Sequence, residues 1–290
     1  KPQAVANTAW AFSFSGHTAP GLFDALASVG AAQSADFAPR SLANTVWGFA
    51  TAGHYSAQLF TSLAKTATLL AQRGEFAPAE LANVAWAFAK VEHPAPELFD
   101  ALAATAVDRA QDFKPQQVSM MTWAFATARH ASPDLFRSLA HVSVWLAAQD
   151  SCEFTPETLA TTAWAFSANG RRSPILFNAL AEAVVARKGE LSGRRRFGSA
   201  DLSRLAWSYA AAGHEAPGIF DDAFTQRCEE VDVWFTEELA MLHLWVLWHA
   251  ERDLPPPLSQ RLAERARKAP LEVARTPKPG AGHRHVLQAL

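Results

Sequence analysis

The chain has 290 residues, a formal net charge of −2 and a hydrophobic content of 49%. The near-neutral charge excludes the strongly basic field that many nucleic-acid-binding domains carry over their whole surface. The two cysteines, Cys152 and Cys228, are far apart in the sequence, which argues against a disulfide framework and against a cysteine-based zinc site. No apolar run is long enough to span a bilayer.

A tryptophan recurs along the chain at intervals of 37 to 43 residues. An aromatic residue follows it two positions later in six copies, and a Leu-Phe or Ile-Phe pair follows twelve positions later in six copies. A fixed period of this length is typical of a repeat array. The sequence therefore predicts an all-α fold, a right-handed α-solenoid of about seven helix-turn-helix repeats, with the recurring tryptophans Trp10, Trp47, Trp86, Trp123, Trp164, Trp207 and Trp245.

Each repeat predicts two helices, which we name A and B. Helix A is expected to begin eight positions before the tryptophan, where proline suits the first helical position because its missing N–H would have no partner there. Those positions are Pro2, Pro39, Pro78, Pro115, Pro156, Ser199 and Glu237. Glycine before the recurring histidine predicts a left-handed helix end. Helix B is expected to begin at Pro20, Pro96, Pro133, Pro174 and Pro217.

The repeat pattern fades after the seventh tryptophan. Leu258 to Lys268 predicts a capping helix, so the repeat array is expected to occupy residues 1–268. Residues 269–290 are predicted to form a linker rich in proline and glycine, followed from Arg284 by the start of another, truncated helix. Because the chain begins with Lys1 and not with methionine, at a repeat boundary, we expect it to be part of a longer protein with any targeting segment outside it.

Helix A is predicted to have two faces that pack against neighbouring helices and a third face that is open to a ligand. The positions three before, one after and four after the tryptophan fall together on it, and the position after the tryptophan is small in six copies. Small residues flanked by variable polar ones suit a protein that reads one RNA base per repeat along a concave surface. An alternative is that the asparagines bond neighbouring helix backbones in an internal ladder. The candidate RNA-binding residues on this face are Asn7, Asn44, Asn83, Lys90, Thr161 and Arg204.

Histidine stands seven positions after the tryptophan in five copies. One histidine per repeat places the rings too far apart to share a metal ion, so no metal site is predicted. We expect each ring to cap the end of helix A or to pack on the following proline, with contact to a phosphate backbone as the alternative. The five residues are His17, His54, His93, His130 and His214.

Arg194, Arg195 and Arg196 form the strongest basic cluster, inside the long insertion between Arg187 and Ala200. The cluster is a candidate for phosphate contact, although such blocks are also common in solvated loops. The recurring tryptophans are predicted to be core residues. Three irregular tryptophans are expected either to be buried or to serve as stacking platforms, namely Trp145, Trp234 and Trp248.

No catalytic pattern is present in the sequence. It contains no glycine-rich phosphate loop, no GxSxG and no HExxH motif, and neither cysteine has an obvious histidine partner. We therefore predict a protein without enzymatic activity, cofactor or small-molecule substrate.

The segments LANTVWGFATAGH (42–54), LANVAWAFAKVEH (81–93) and TTAWAFSANGR (161–171) carry a family resemblance. They resemble the repeats of RAP-domain, FAST-kinase-like organellar proteins of heptatricopeptide type, whose helical region is similar to that of RNA-editing substrate-binding complex subunits. The similarity extends from residue 1 to about residue 250, and the RAP domain itself is absent from the chain. Arg284 to Leu290 resembles the short helix that often precedes that domain.

This resemblance implies an RNA-binding module in a mitochondrion or plastid that acts in RNA processing, mRNA stability or ribosomal RNA assembly. The implied partners are single-stranded RNA or rRNA and other ribonucleoprotein subunits, and no membrane is implied. The alternative function is a protein-binding scaffold of HEAT or armadillo type, for which a neutral groove of small residues is equally suitable.

Overall fold

The computed structural model describes residues 1–15, 19–149, 153–187 and 197–275. Within these ranges the protein has fourteen α-helices, two short 3-10 turns and no strand, so the prediction of an all-α helical-repeat protein is confirmed. The helices are α1 (Pro2–Phe14), α2 (Pro20–Ala32), α3 (Pro39–Thr51), α4 (Ala57–Gln72), α5 (Pro78–Lys90), α6 (Pro96–Asp108), α7 (Pro115–Ala128), α8 (Pro133–Ala147), α9 (Pro156–Ala168), α10 (Pro174–Ala186), α11 (Ser199–Ala212), α12 (Asp222–Glu229), α13 (Thr236–Ala250) and α14 (Gln260–Arg275).

The predicted start of helix A is confirmed in the first six repeats. Proline is the first residue of α1, α3, α5, α7 and α9, and Ser199 is the first residue of α11. The side chain at the third helical position often returns to bond the backbone before the proline. Glu80 accepts the Ala77 N–H at 2.8 Å, and Gln117 accepts the Lys114 N–H at 2.8 Å. Each bond satisfies a backbone donor that the helix leaves unpaired.

The predicted glycine end of helix A is also confirmed. Gly53, Gly170 and Gly213 adopt left-handed conformations with φ of 67°, 65° and 66°. The next residue then donates its N–H to the carbonyl five residues back, as His54 does to Phe49 at 3.0 Å. Arg129 adopts the same conformation at φ 53°, although left-handed backbone is costly for a residue with a Cβ.

The described chain divides into two compact units, residues 1–142 and 143–290. In unit 1 the A helices α1, α3, α5 and α7 pack in series, and the B helices α2, α4 and α6 pack in a second series. Phenylalanines from the two series meet edge to face, as Phe60 and Phe88 do with ring centroids 5.1 Å apart. The Thr105 hydroxyl ties successive repeats by donating to the Ala71 carbonyl at 2.8 Å.

In unit 2 the A helices α9, α11 and α13 pack in series, and α14 packs against α13. Predicted boundaries differ from the observed ones in α12, α13 and α14. Helix α12 begins at Asp222 and not at Pro217, because the Asp221 carboxylate caps it by accepting the Phe224 N–H at 3.1 Å. Helix α13 begins at Thr236, one residue before Glu237.

Helix α14 runs to Arg275 and does not end at Lys268, so the first residues of the predicted linker are helical. The rest of the linker and the predicted helix from Arg284 lie outside the described residues.

Candidate nucleic-acid interface

One side of each A helix in unit 1 stays open and displays the recurring tryptophan. Trp10 is 45% exposed, and Trp47, Trp86 and Trp123 are half-buried. We call these four residues the tryptophan stripe. The prediction that the recurring tryptophans are core residues is therefore wrong for unit 1. It is confirmed in unit 2, where the exposed fractions are 3% for Trp164, 5% for Trp207 and 1% for Trp245.

Three indole rings of the stripe, those of Trp47, Trp86 and Trp123, follow one another at nearly constant spacing. The ring centroids of Trp47 and Trp86 are 6.4 Å apart with planes inclined by 33°, and those of Trp86 and Trp123 are 6.2 Å apart with planes inclined by 35°. Aromatic rings in direct contact have centroids about 4.5–7 Å apart, so no base can enter between neighbours. The rings form a continuous aromatic surface on which a ligand can lie.

Polar side chains flank the stripe. Asn44 and Asn83 are half-buried, Asn7 is exposed, and Lys90 is exposed at the end of α5. Among the described residues none of the three asparagine side chains makes a hydrogen bond, which contradicts the alternative of an internal asparagine ladder. Their amides keep both donors and the acceptor available for a ligand. At about 100° per residue the positions three before and four after the tryptophan lie within about 60° of it, so the helical wheel already places them beside the ring.

The small residue after the tryptophan is not part of the open face in α3, α5 and α7, although Ala11 in α1 is exposed. Ala87 and Ala124 are fully buried, and Gly48 lies against the backbone of α1. A Cβ added to Gly48 would stand 2.9 Å from the Ala9 carbonyl carbon, which is closer than real Cβ atoms approach. These residues are small because neighbouring A helices pack closely there, and the predicted approach of a ligand to this position is wrong.

Charge differs between the two helix series of unit 1. Helices α1, α3, α5 and α7 carry two cations, Arg40 and Lys90, and one carboxylate, Glu80, which bonds the backbone at its own helix start. Helices α2, α4 and α6 carry one cation and four carboxylates. A polyanion therefore meets less repulsion on the tryptophan side of the unit than on the B-helix side.

Two candidates in unit 2 bond each other. Arg204 is half-buried and its Nη1 donates to the Thr161 hydroxyl at 3.4 Å, and Thr161 is only 8% exposed. Burial raises the pKa of Asp201 and of Glu238, and the nearby Arg204 guanidinium partly offsets that rise. The positive charge of Arg204 therefore acts on groups within unit 2, namely Thr161, Asp201 and Glu238. Arg194, Arg195 and Arg196 lie outside the described residues.

Histidine at the recurring position joins successive repeats. His54 Nε2–H donates to Asp24 at 2.9 Å, and its ring lies against Phe23 and Phe49, with centroid distances of 5.4 and 5.9 Å. His130 repeats this arrangement with Asp100 at 2.7 Å. We call such a contact a histidine junction. The predicted packing on proline is replaced by packing between aromatic rings, and the ring bonds the preceding B helix.

The other two described histidine junctions vary the polar partner. His214 bonds the Asn178 side-chain oxygen at 2.9 Å. His93 accepts from the Tyr55 hydroxyl at 2.9 Å, and burial lowers the pKa of His93. No group of three or more potential metal ligands occurs in the described parts of the chain.

The irregular tryptophans and the described cysteine have separate environments. Trp145 is 55% exposed and Trp234 is 7% exposed, while Trp248 is half-buried under the Arg252 guanidinium, whose carbon is 4.4 Å from the ring centre. Burial raises the pKa of the Cys228 thiol to about 12. That thiol is protonated at neutral pH and is a poor nucleophile.

Stacked helical hairpins with an open, tryptophan-lined side in unit 1 define a protein of the α-helical repeat class. The chain matches the RNA-editing substrate-binding complex 6 protein family over residues 3–194, and it belongs to that family. The family is RNA-associated by its name, which agrees with the part of the sequence resemblance that pointed to RNA-editing substrate-binding complex subunits. No curated protein matches the chain. None of the helices within the described ranges is long and apolar enough to cross a membrane.

Proposed function

We propose that the chain is an RNA-binding module of mitochondrial RNA metabolism and that single-stranded RNA lies along the tryptophan stripe of unit 1. The observation that carries this proposal is the row formed by Trp47, Trp86 and Trp123, which is open on one side. Stacking of a base on an aromatic ring contributes about 1–3 kcal/mol and tolerates any base. Membership of an RNA-editing substrate-binding family favours RNA as the ligand.

The residues beside the stripe supply the polar contacts. The side-chain amides of Asn44 and Asn83 have no hydrogen-bond partner within the described chain and can bond the edges of bases. Asn7 occupies the equivalent position in α1, three residues before its tryptophan. Lys90 and Arg40 are exposed and can meet phosphates. Two phosphate contacts to a single strand correspond to a salt dependence of about −1.4 in log K against log salt, which is shallow for an RNA-binding protein.

The remaining candidates have a smaller part in the proposal. Thr161 and Arg204 would have to release each other before they contact RNA, so we assign the main contacts to unit 1. The Arg194–Arg196 cluster is proposed to contact phosphates on the strength of its sequence alone. We further propose a role without catalysis beside other ribonucleoprotein subunits, in RNA processing, mRNA stability or rRNA assembly, and a relationship to RAP-domain, FAST-kinase-like proteins of mitochondria and plastids.

A protein-binding scaffold is the second candidate function. Met120 takes the place of asparagine beside Trp123, and Phe14 is 75% exposed and stacks on Trp10 at 5.4 Å. An apolar face of this kind also fits the hydrophobic side of a partner helix. The RNA-binding function and the scaffold function differ in whether Lys90 and the asparagines contribute to binding.

Binding of a fluorescent single-stranded RNA to the full chain tests the proposal by anisotropy at several salt concentrations. Trp86→Leu keeps an apolar side chain but removes the stacking surface, so we expect affinity to fall about 5- to 100-fold. Lys90→Glu should weaken binding and flatten the salt dependence by about 0.7. Lys65→Glu, an exposed change on the B helix α4, is the matched control and should leave both quantities unchanged.

The outcomes separate the two candidates. Equal effects of Lys90→Glu and Lys65→Glu would place the RNA elsewhere than on the stripe. Absence of RNA binding by the unmodified chain would contradict the proposal and leave the scaffold as the better account.

A further inference from the structure

The last junction between repeats in unit 2 lacks the recurring histidine ring. Helix α13 has 15 residues, and its left-handed end falls at Asp253 with φ 53°. Leu254 then donates its N–H to the His249 carbonyl at 3.1 Å, in the same pattern that His54 follows with Phe49. Leu254 therefore takes the backbone position that histidine occupies at the four junctions described above.

A cavity of about 180 Å³ lies at this junction. Its lining includes Phe220, Trp245 and Leu254. The Phe220 and Trp245 rings contact each other as the Phe23 and Phe49 rings do at the first histidine junction, and Leu254 has the backbone position of His54. At that junction the imidazole ring packs against both phenylalanine rings, which also contact each other. Here an aliphatic side chain replaces the ring, and the B helix begins late, at Asp222.

The size and walls of the cavity suit one flat ring. A cavity of about 150 Å³ in another protein holds benzene, whereas sites for larger ligands usually exceed about 300 Å³. The Phe220 and Trp245 ring centroids are 5.1 Å apart, and those of Trp245 and His249 are 5.2 Å apart. Tyr209 and Trp248 complete the aromatic lining. Phe220, Trp248 and His249 are half-buried and can contact a ligand, whereas Tyr209 and Trp245 are each only 1% exposed.

The polar side chains that line the cavity offer mostly hydrogen-bond acceptors. One exception is Trp248, whose indole N–H is a donor without a partner in the described chain. His249 donates its Nδ1–H to the Pro255 carbonyl at 2.9 Å, and burial lowers the pKa of His249, so Nε2 keeps a free lone pair. His214 donates Nε2–H to Asn178, which leaves Nδ1 as an acceptor. Glu215 adds a carboxylate to the lining. A ligand with several N–H donors fits this set better than one with few.

We propose that this cavity binds a single nucleobase with an exocyclic amino group, such as cytosine, from an RNA strand. The base would stack on the aromatic walls and donate its amino hydrogens to Glu215 and the histidine rings. Uracil has no amino group and fits less well. The proposal rests on the proposed RNA-binding function, but the cavity lies in unit 2 and does not involve the tryptophan stripe.

Calorimetric titration of the full chain with free cytidine and with free uridine tests the proposal. These nucleosides carry no phosphate, so phosphate contacts do not contribute. We expect saturable cytidine binding with a dissociation constant on the order of 1 mM, as for a small ligand. Uridine should bind about 2- to 10-fold more weakly, because about one hydrogen bond is lost. Equal affinity for the two nucleosides would overturn the assignment of the acceptors.

Leu254→His is the decisive variant, because it introduces the ring that the four histidine junctions contain. It should abolish cytidine binding without lowering the thermal stability of the chain. Glu215→Ala, an exposed change, is the second variant and should reduce the preference for cytidine over uridine. Unchanged cytidine binding in Leu254→His would refute the cavity as the site.

Two further arms separate the alternatives. Trp86→Leu should bind cytidine like the unmodified chain. If cytidine does not bind to the unmodified chain while RNA binding still depends on Trp86, the cavity proposal is refuted and the proposed RNA binding on the tryptophan stripe is not. Lysine amide is the second arm. If it binds saturably to the unmodified chain but not to Leu254→His, and no nucleoside binds, the cavity is a site for a protein side chain and the nucleobase assignment is overturned.

Discussion

Removal of the ring at a histidine junction should cost much more stability than removal of the charge on its partner. The His130 side chain is 18% exposed, its ring lies 5.5 Å from the Phe99 ring and 5.7 Å from the Phe125 ring, and Nε2 is 2.7 Å from Asp100. Each aromatic contact contributes about 0.5–1.5 kcal/mol, and the hydrogen bond about 0.5–1.5 kcal/mol. We therefore expect His130→Ala to lower the free energy of unfolding by about 1.5–4.5 kcal/mol.

Asp100→Asn should cost less than about 0.5 kcal/mol, because the Asp100 side chain is 73% exposed and an exposed ion pair contributes little. Asn178 already serves as the acceptor for His214 at 2.9 Å, so an amide oxygen is sufficient there. Urea unfolding followed by far-UV circular dichroism near neutral pH measures both changes. A cost for Asp100→Asn equal to that of His130→Ala would refute the packing argument and make the junction ionic.

Three further predictions concern unit 1. In urea unfolding, Arg129→Gly should stabilise the chain by about 0.5–1 kcal/mol because it relieves a left-handed residue with a Cβ, and Gly53→Ala should destabilise it by about 1 kcal/mol for the converse reason. The pKa of His93 is lowered in the folded state, so its contribution to stability is complete above about pH 6.5 and is lost as the pH falls below that value. His93→Gln should reduce the loss of stability between neutral pH and about pH 5 in denaturation experiments. Gly48→Ala should lower the melting temperature although alanine is the better helix former, because the added Cβ meets the α1 backbone at 2.9 Å, and an unchanged or higher value would contradict the close packing.

Local chemistry explains why so much of the fold could be predicted from the sequence. Proline at the first helical position and glycine at the left-handed end are short-range signals, and Pro78 and Gly53 act as predicted. Pro217 shows the limit of such signals. The chain after it forms a turn, and the helix begins only at Asp222, where the Asp221 carboxylate accepts the Phe224 N–H.

The candidate site was only partly predictable, because exposure depends on neighbouring helices. The helical wheel correctly placed Asn44 and Asn83 on an open face. It could not show that Gly48, at about 100° from the tryptophan, faces the preceding A helix, nor that Trp86 stays half-buried while Trp207 is 5% exposed. Likewise the bond between Arg204 and Thr161 joins residues 43 positions apart, and no local pattern predicts it.

The two proposed sites follow from opposite properties of a repeat array. The stripe is periodic, and a regular row of indoles binds successive bases without choosing among them, because every base has a face that stacks. The cavity occurs where the chain departs from the repeat. Leu254 occupies the backbone position of the recurring histidine, and the aromatic side chains around it line the cavity. Such walls are already positioned by the same packing that stabilises the other junctions, so a ligand loses little free energy in ordering them. Selectivity in this protein is therefore expected at departures from the repeat, and general affinity along the regular face.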